Sequence, residues 1–132
     1  MRATPLSGGL LVVALACGIA LASPQTNPAP GEAPTIYQTG LAAFKRGDLP
    51  AAREAFTKAV ELNPRNVDAQ NMLGQVLLQQ GDVDNAIVHF RVLVGLRPSL
   101  AIGHAYLAQA LETKGRIDEA ITEFRIAVQF AP

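Results

Sequence analysis

The side chains best able to do chemistry are few and scattered. His89 and His104 are the two imidazoles of the chain, 15 residues apart. A metal ion or a proton relay would need them to converge with carboxylates or a thiol. Their spacing puts them on different helices, and neither has a carboxylate or cysteine at a ligand spacing. The acid pairs Asp82/Asp84 and Asp118/Glu119 stand at the starts of periodic apolar segments. Negative charge suits a helix start, so capping accounts for them without a general-acid role. Lys114 and Arg116 flank a turn, and two cations do not make a nucleic-acid patch. The glycines from Gly40 onward fall singly at turns and crossings, so no phosphate-cradling loop occurs. No catalytic, metal-ligating or cofactor-binding residue is assigned, and the chain does not read as an enzyme.

The elements around these residues matter more than the residues themselves. Eleven basic and eleven acidic side chains cancel, which removes any broad electrostatic attraction to nucleic acid or an anionic membrane. The N-terminus, MRATPLSGGLLVVALACGIALA, has one early positive charge, Arg2, and an apolar run of 13 residues from Leu10 to Ala22. A spanning helix needs about 20 residues, whereas a secretory leader needs about 7–15. Ala20-Leu21-Ala22 offers a small-residue cleavage site. Residues 1–22 therefore read as a signal peptide, and the mature chain as exported, periplasmic or extracellular, with no membrane span. An uncleaved anchor and a lipid on Cys17 are the alternatives. Cleavage would leave no cysteine, hence no disulfide. Ser23 to Pro34 carries four prolines and reads as a semi-extended linker.

Beyond the linker the chain repeats itself with a step of 34 residues. Gly47, Gly81 and Gly115 are one step apart. So are Ala52, Ala86 and Ala120, then Phe56, Phe90 and Phe124, then Pro64, Pro98 and Pro132. The copies run 33–66, 67–100 and 101–132. In the first, Tyr37, Leu41 and Phe44 predict a helix from Pro34 to Arg46. Gly47 ends it, Asp48 caps the next helix and Pro50 fits its first turn. Ala52, Ala55, Phe56, Ala59, Val60 and Leu62 mark a buried face. In the second copy Asn66 is the expected cap; Leu73, Val76, Leu77 and Leu78 and then Ala86, Ile87, Phe90, Leu93 and Val94 are the apolar sides. In the third, Ser99 is the expected cap. Ile117, Ala120, Ile121, Phe124, Ala127 and Val128 form the last apolar face, with Asp118 and Glu119 compensating for Arg116 at the cap position. Gly40, Gly74 and Ala108 share a register; small residues there let paired helices approach, with the Phe filling the gap beside them. A fixed period of this size means stacked helix pairs, none able to bury its face alone.

The middle copy holds Leu73-Gly74-x-x-Leu77, Ala86-x-x-x-Phe90 and Pro98, and the third holds Leu107-Ala108-x-x-Leu111, Ala120-x-x-x-Phe124 and Pro132. This resembles the tetratricopeptide repeat. The first copy matches at Gly40, Ala52, Phe56 and Pro64 but has Thr39 and Ala43 at two apolar positions, and the Trp usual near each repeat start is absent throughout. The resemblance covers residues 33–132. It implies an all-α solenoid of three antiparallel helix pairs in a right-handed superhelix, acting as a scaffold that binds a protein or peptide in a concave groove. It also implies that first-helix residues line the groove: Tyr37, Leu41, Phe44 and Lys45, then Asn71, Gln75, Leu78 and Gln79, then Ala105, Gln109, Glu112 and Thr113. Asn and Gln there can pair with an extended peptide backbone; a solvated face without a ligand is the alternative. The Lys/Asn/Arg clamp that some members use on a terminal carboxylate is missing, its sites holding Tyr37, Leu41, Ile102 and Tyr106.

Arrays of this kind usually end in a polar-faced helix, and none follows the third copy. Ile121, Phe124 and Val128 are therefore expected to lack full cover. Further repeats, a partner or a second copy would supply it, or three repeats stand bare; further repeats are the preferred expectation and self-association another. The chain thus reads as an exported adaptor, or as the N-terminal module of a larger exported protein.

Overall fold

The computed structural model describes residues 31–132. The leader read over residues 1–22, Cys17 and the linker up to residue 30 lie outside the described residues. Six helices and no strand occur among the described residues: α1 (Glu32–Lys45), α2 (Leu49–Leu62), α3 (Val67–Gln79), α4 (Val83–Leu96), α5 (Ala101–Thr113) and α6 (Ile117–Phe130). None is long and apolar enough to cross a membrane. Each helix packs on its neighbours in the chain, as hairpins α1/α2, α3/α4 and α5/α6 stacked in order. The first helix starts two residues before the predicted Pro34. Pro34 falls in its first turn, where the missing N–H has no intrahelical acceptor to lose.

The tight turns are built three times in one way. Gly47, Gly81 and Gly115 have φ of 77, 83 and 85°. Each glycine N–H donates three residues back (Phe44, Leu78 and Glu112 O; 2.9–3.1 Å) and the next N–H donates five back (Ala43, Leu77 and Leu111 O; 2.8–2.9 Å). This is a Schellman closure, which needs a left-handed residue at the glycine. The residue after the glycine then occupies the N-cap position of the second helix. Asp48 accepts from the Ala51 N–H as expected. Asp82 does not cap: its carboxylate takes the Asn85 amide and Arg53 instead. Arg116 cannot cap, and Glu119 answers it with two short bonds (2.6 and 2.7 Å). A backbone-closed turn tolerates these changes.

Between repeats, Asn63-Pro64-Arg65-Asn66 and Arg97-Pro98-Ser99-Leu100 close as turns, the fourth N–H donating to the first carbonyl (both 3.0 Å). Proline suits the second position of such a turn. Asn66 caps α3 through the Ala69 N–H (3.0 Å). The expected Ser99 cap is not formed. One repeat on from Asn66 the cap position is Leu100, which has no side-chain acceptor.

The core runs through all three repeats: Phe56, Leu73, Val76, Phe90, Leu93 and Leu111 are essentially inaccessible. Leu62, expected in the core, is exposed at the last turn of α2. On α6, Ala120 and Ala127 are buried, while Ile117, Ile121, Phe124 and Val128 are exposed because no helix follows among the described residues.

The closest packing lies at the helix crossings. A Cβ on Gly40 would stand 2.7 Å from the Phe56 ring, and one on Gly74 2.5 Å from the Phe90 ring. The rings occupy the space that a side chain would need. In the third copy Ala108 carries that Cβ, and Phe124 is 39% exposed where Phe56 and Phe90 are fully buried.

Phe90→Ala is expected to cost about 3–5 kcal/mol by opening a cavity at this crossing; urea unfolding monitored by circular dichroism measures it. Gly74→Ala favours the helix by up to about 1 kcal/mol in propensity. It should nonetheless destabilise by about 1–3 kcal/mol, because the methyl overlaps Phe90. In the pair Gly74→Ala/Phe90→Leu the smaller side chain should recover part of that loss.

Candidate functional site

The two histidines stand in corresponding polar junctions of neighbouring repeats, not in a shared site. Buried Gln70 on α3 donates from Nε2 to the Pro64 carbonyl (2.7 Å) and accepts at Oε1 from Nδ1 of His89 on α4 (2.7 Å). One repeat later His104 replaces Gln70 and Glu123 replaces His89. His104 Nε2 faces the Pro98 carbonyl at 2.8 Å and Nδ1 faces Glu123 Oε2 at 2.7 Å. Both neighbours are oxygens, so a ring N–H on either nitrogen has an acceptor. In each case a buried side chain ties the inter-repeat turn to the second helix of the following repeat. The first copy has Ile36 and Ala55 in this register and no polar junction. Burial lowers the His89 pKa, and the negative Asp82 offsets this only in part.

The candidate ligand surface lies along the first helices. Beyond the chain neighbours, α3 and α5 touch each other directly, which puts first helices on the inner wall of the stack. Between them opens a cleft of about 490 Å³ lined by Gln75, Leu78, Gln79, Tyr106, Gln109 and Thr113. All six are uncharged. Asn71 joins this wall, its Oδ1 accepting from Gln75 Nε2 at 3.1 Å. The Thr113 hydroxyl donates to the Gln109 carbonyl (2.8 Å).

The structure therefore brings together Asn71, Gln75, Leu78, Gln79, Gln109 and Thr113 of the residues expected in the groove. The others do not line this cleft. Tyr37, Leu41 and Phe44 are half-buried against the core, and the Tyr37 ring packs on Phe56 with centroids 5.6 Å apart. Burial, and then the nearby Asp68 charge, raise the Tyr37 phenol above its ordinary pKa, so it stays protonated. Lys45 and Glu112 are exposed in the last turns of α1 and α5 and line no part of this cleft. Tyr106 was expected only as a site of the missing carboxylate clamp, not in the lining itself. It falls one position off the groove register, where the second copy has Met72, and reaches the cleft because its ring stacks on Phe90 (5.6 Å, 14°). A tyrosine beside the groove register was the available signal, since it pairs an apolar face with a hydroxyl.

Amide side chains offer donors and acceptors to a peptide backbone, while Leu78 and the Tyr106 ring offer apolar contact. Arg53–Asp82, Arg91–Glu119 and Lys114–Asp84 (3.1, 3.5 and 2.8 Å) tie charges on the outer surfaces to each other.

A model described as tetratricopeptide repeat matches residues 37–101. No curated protein sequence shows a significant match. A crystal structure of MamA is 31% identical with a TM-score of 0.71, covering 74% of this chain and 57% of that one. A MamA point mutant is 30% identical with a TM-score of 0.74, covering 79% and 76%. The first repeat domain of Spaghetti (RPAP3), bound to an HSP90 peptide, is similar in fold: 18% identity, TM-score 0.73, covering 76% and 79%. The chain thus spans little more than half of the first of the two MamA chains.

A depressed imidazole stabilises the fold above its unfolded pKa of about 6.5, and this contribution is lost as pH falls below that value. Between about pH 7.5 and about pH 5.5 the wild type should lose more stability than His89→Asn, whose amide can still donate to Gln70. Parallel losses in urea unfolding would mean that His89 is not the titrating group.

Proposed function

We propose that this chain, which belongs to the tetratricopeptide repeat family, is a non-enzymatic adaptor that holds an extended protein segment against the α3/α5 wall. One observation carries the reading: the roughly 490 Å³ cleft whose six lining side chains are all uncharged. Such a wall pairs with backbone N–H and C=O groups and one or two apolar side chains, as an extended peptide presents them. It has no cation aimed at a terminal carboxylate. An internal segment therefore suits it better than a chain end. Support of a general kind comes from the fold, since the similar RPAP3 domain is bound to an HSP90 peptide. The leader read over residues 1–22 supports an exported setting, periplasmic or extracellular, and hence an envelope or extracellular assembly.

The test separates folding from binding. Asn71→Ala with Gln75→Ala removes two half-exposed amides and should change unfolding stability by no more than about 0.5 kcal/mol. In a pull-down from an envelope extract, a groove partner should be retained by the wild type and lost, about tenfold or more, from the double variant. A partner retained equally by both would place recognition elsewhere on the molecule.

A further inference from the structure

The exposed apolar residues of α6 have a spacing of their own. Ile117, Ile121, Phe124 and Val128 are separated by steps of four, three and four, the a/d seam of a two-helix coiled coil. Val128 is 76% exposed and Phe124 39%. One repeat earlier the same register holds Val83, Ile87, Phe90 and Val94, on the α4 side that packs against α5: Phe90 stacks on Tyr106, and Val94 lies beside Gly103. The α6 face is thus built for a helix, and none covers it among the described residues.

The other end of the stack is a poor mate for it. A second copy added head to tail would bring α1 onto α6 as α5 sits on α4. Where α5 offers Gly103, Tyr106 and Leu107, α1 offers Thr35, Gln38 and Thr39, all exposed. Ile121 and Phe124 would then be buried against polar side chains.

The α6 face does complement itself. Laid antiparallel on a second α6, Ile117 meets Val128 and Ile121 meets Phe124, each contact occurring twice. The flanking e positions are then Asp118 and Arg125, and the antiparallel geometry sets Asp118 of one copy against Arg125 of the other, again twice. Neither side chain takes part in an ion pair among the described residues. A parallel pair would set both against Ala120 and Ala127 and lose the charge match. We propose that α6 is a dimerisation helix, and that two copies of this chain pair through it antiparallel about a twofold axis. The inference is independent of the groove reading, since α6 contributes nothing to the α3/α5 cleft. The dimer would carry two grooves, so a partner with two matching segments would gain avidity.

Sedimentation equilibrium of the full chain, over a concentration series, tests it. The wild type should show a monomer–dimer equilibrium. Val128→Lys, at the most exposed seam position, should abolish the dimer with the helical circular dichroism unchanged. Asp118→Arg and Arg125→Asp should each weaken dimerisation about tenfold or more, because like charges then face each other twice. The double swap Asp118→Arg/Arg125→Asp should restore it. Three results would overturn the proposal: a monomeric wild type, which leaves α6 to a helix of another protein; open assemblies that keep growing with concentration, which mean head-to-tail stacking; or a double swap as weak as the single ones.

Discussion

Two aromatic rings lie where two side chains are missing. Phe56 fills the space above Gly40 and Phe90 the space above Gly74, so close that a methyl on either glycine would overlap the ring. This contact sets how near the helices of a pair can come. The distance within a pair in turn decides which side chains face the next repeat and which face the inner wall. The Schellman turns hold the pair at one end, and the glycine–phenylalanine crossing holds it in the middle. Interiors are packed too tightly for such a contact to be adjustable. In the third copy Ala108 has the methyl that the glycines lack, and Phe124 is part-exposed because no helix follows among the described residues.

A second constraint is polar. Gln70 with His89, and His104 with Glu123, occupy one structural slot with two different chemistries, and the first copy fills it with Ile36 and Ala55. Buried polar groups need partners. In both polar versions one partner is the carbonyl of the proline that ends the preceding repeat. The junction thus anchors the turn between repeats, the point at which a stack is otherwise free to bend. It also gives the two histidines a structural role.

The molecule offers two unlike surfaces. The α3/α5 wall is polar, uncharged and concave, with Leu78 and Tyr106 as its apolar points. The α6 face is apolar, flanked by one acid and one base, and lies at the end of the stack. The first is the proposed seat of an extended peptide, which would bring its own backbone donors and acceptors. The second suits a rigid helix with a seam like its own. Because they sit on different helices, occupation of one leaves the other accessible.

The helix pairs, their turns and the Phe, Ala and Pro registers were legible in the sequence, because a 34-residue period repeats the same local rules and each rule acts over a few residues. The Gly47, Gly81 and Gly115 turns and the Asp48 and Asn66 caps needed nothing more. The Ser99 cap failed because the 34-residue register that puts a cap at Asn66 puts the next at Leu100, which has no side-chain acceptor. The groove was legible only in part. Register alone assigned Tyr37, Leu41 and Phe44 to it along with Asn71, Gln75 and Gln109. Those three are half-buried against the core, as Leu78 and Tyr106 are, but the cleft opens between α3 and α5 and α1 does not line it. Tyr106 entered the wall through its stack on Phe90, a contact between residues 16 apart in sequence. The partners of His89 and His104 lie 19 residues away on facing helices. Period and composition are local quantities and specify the elements. Which side chains meet across two helices depends on the crossing geometry, and that exists only once the helices have packed.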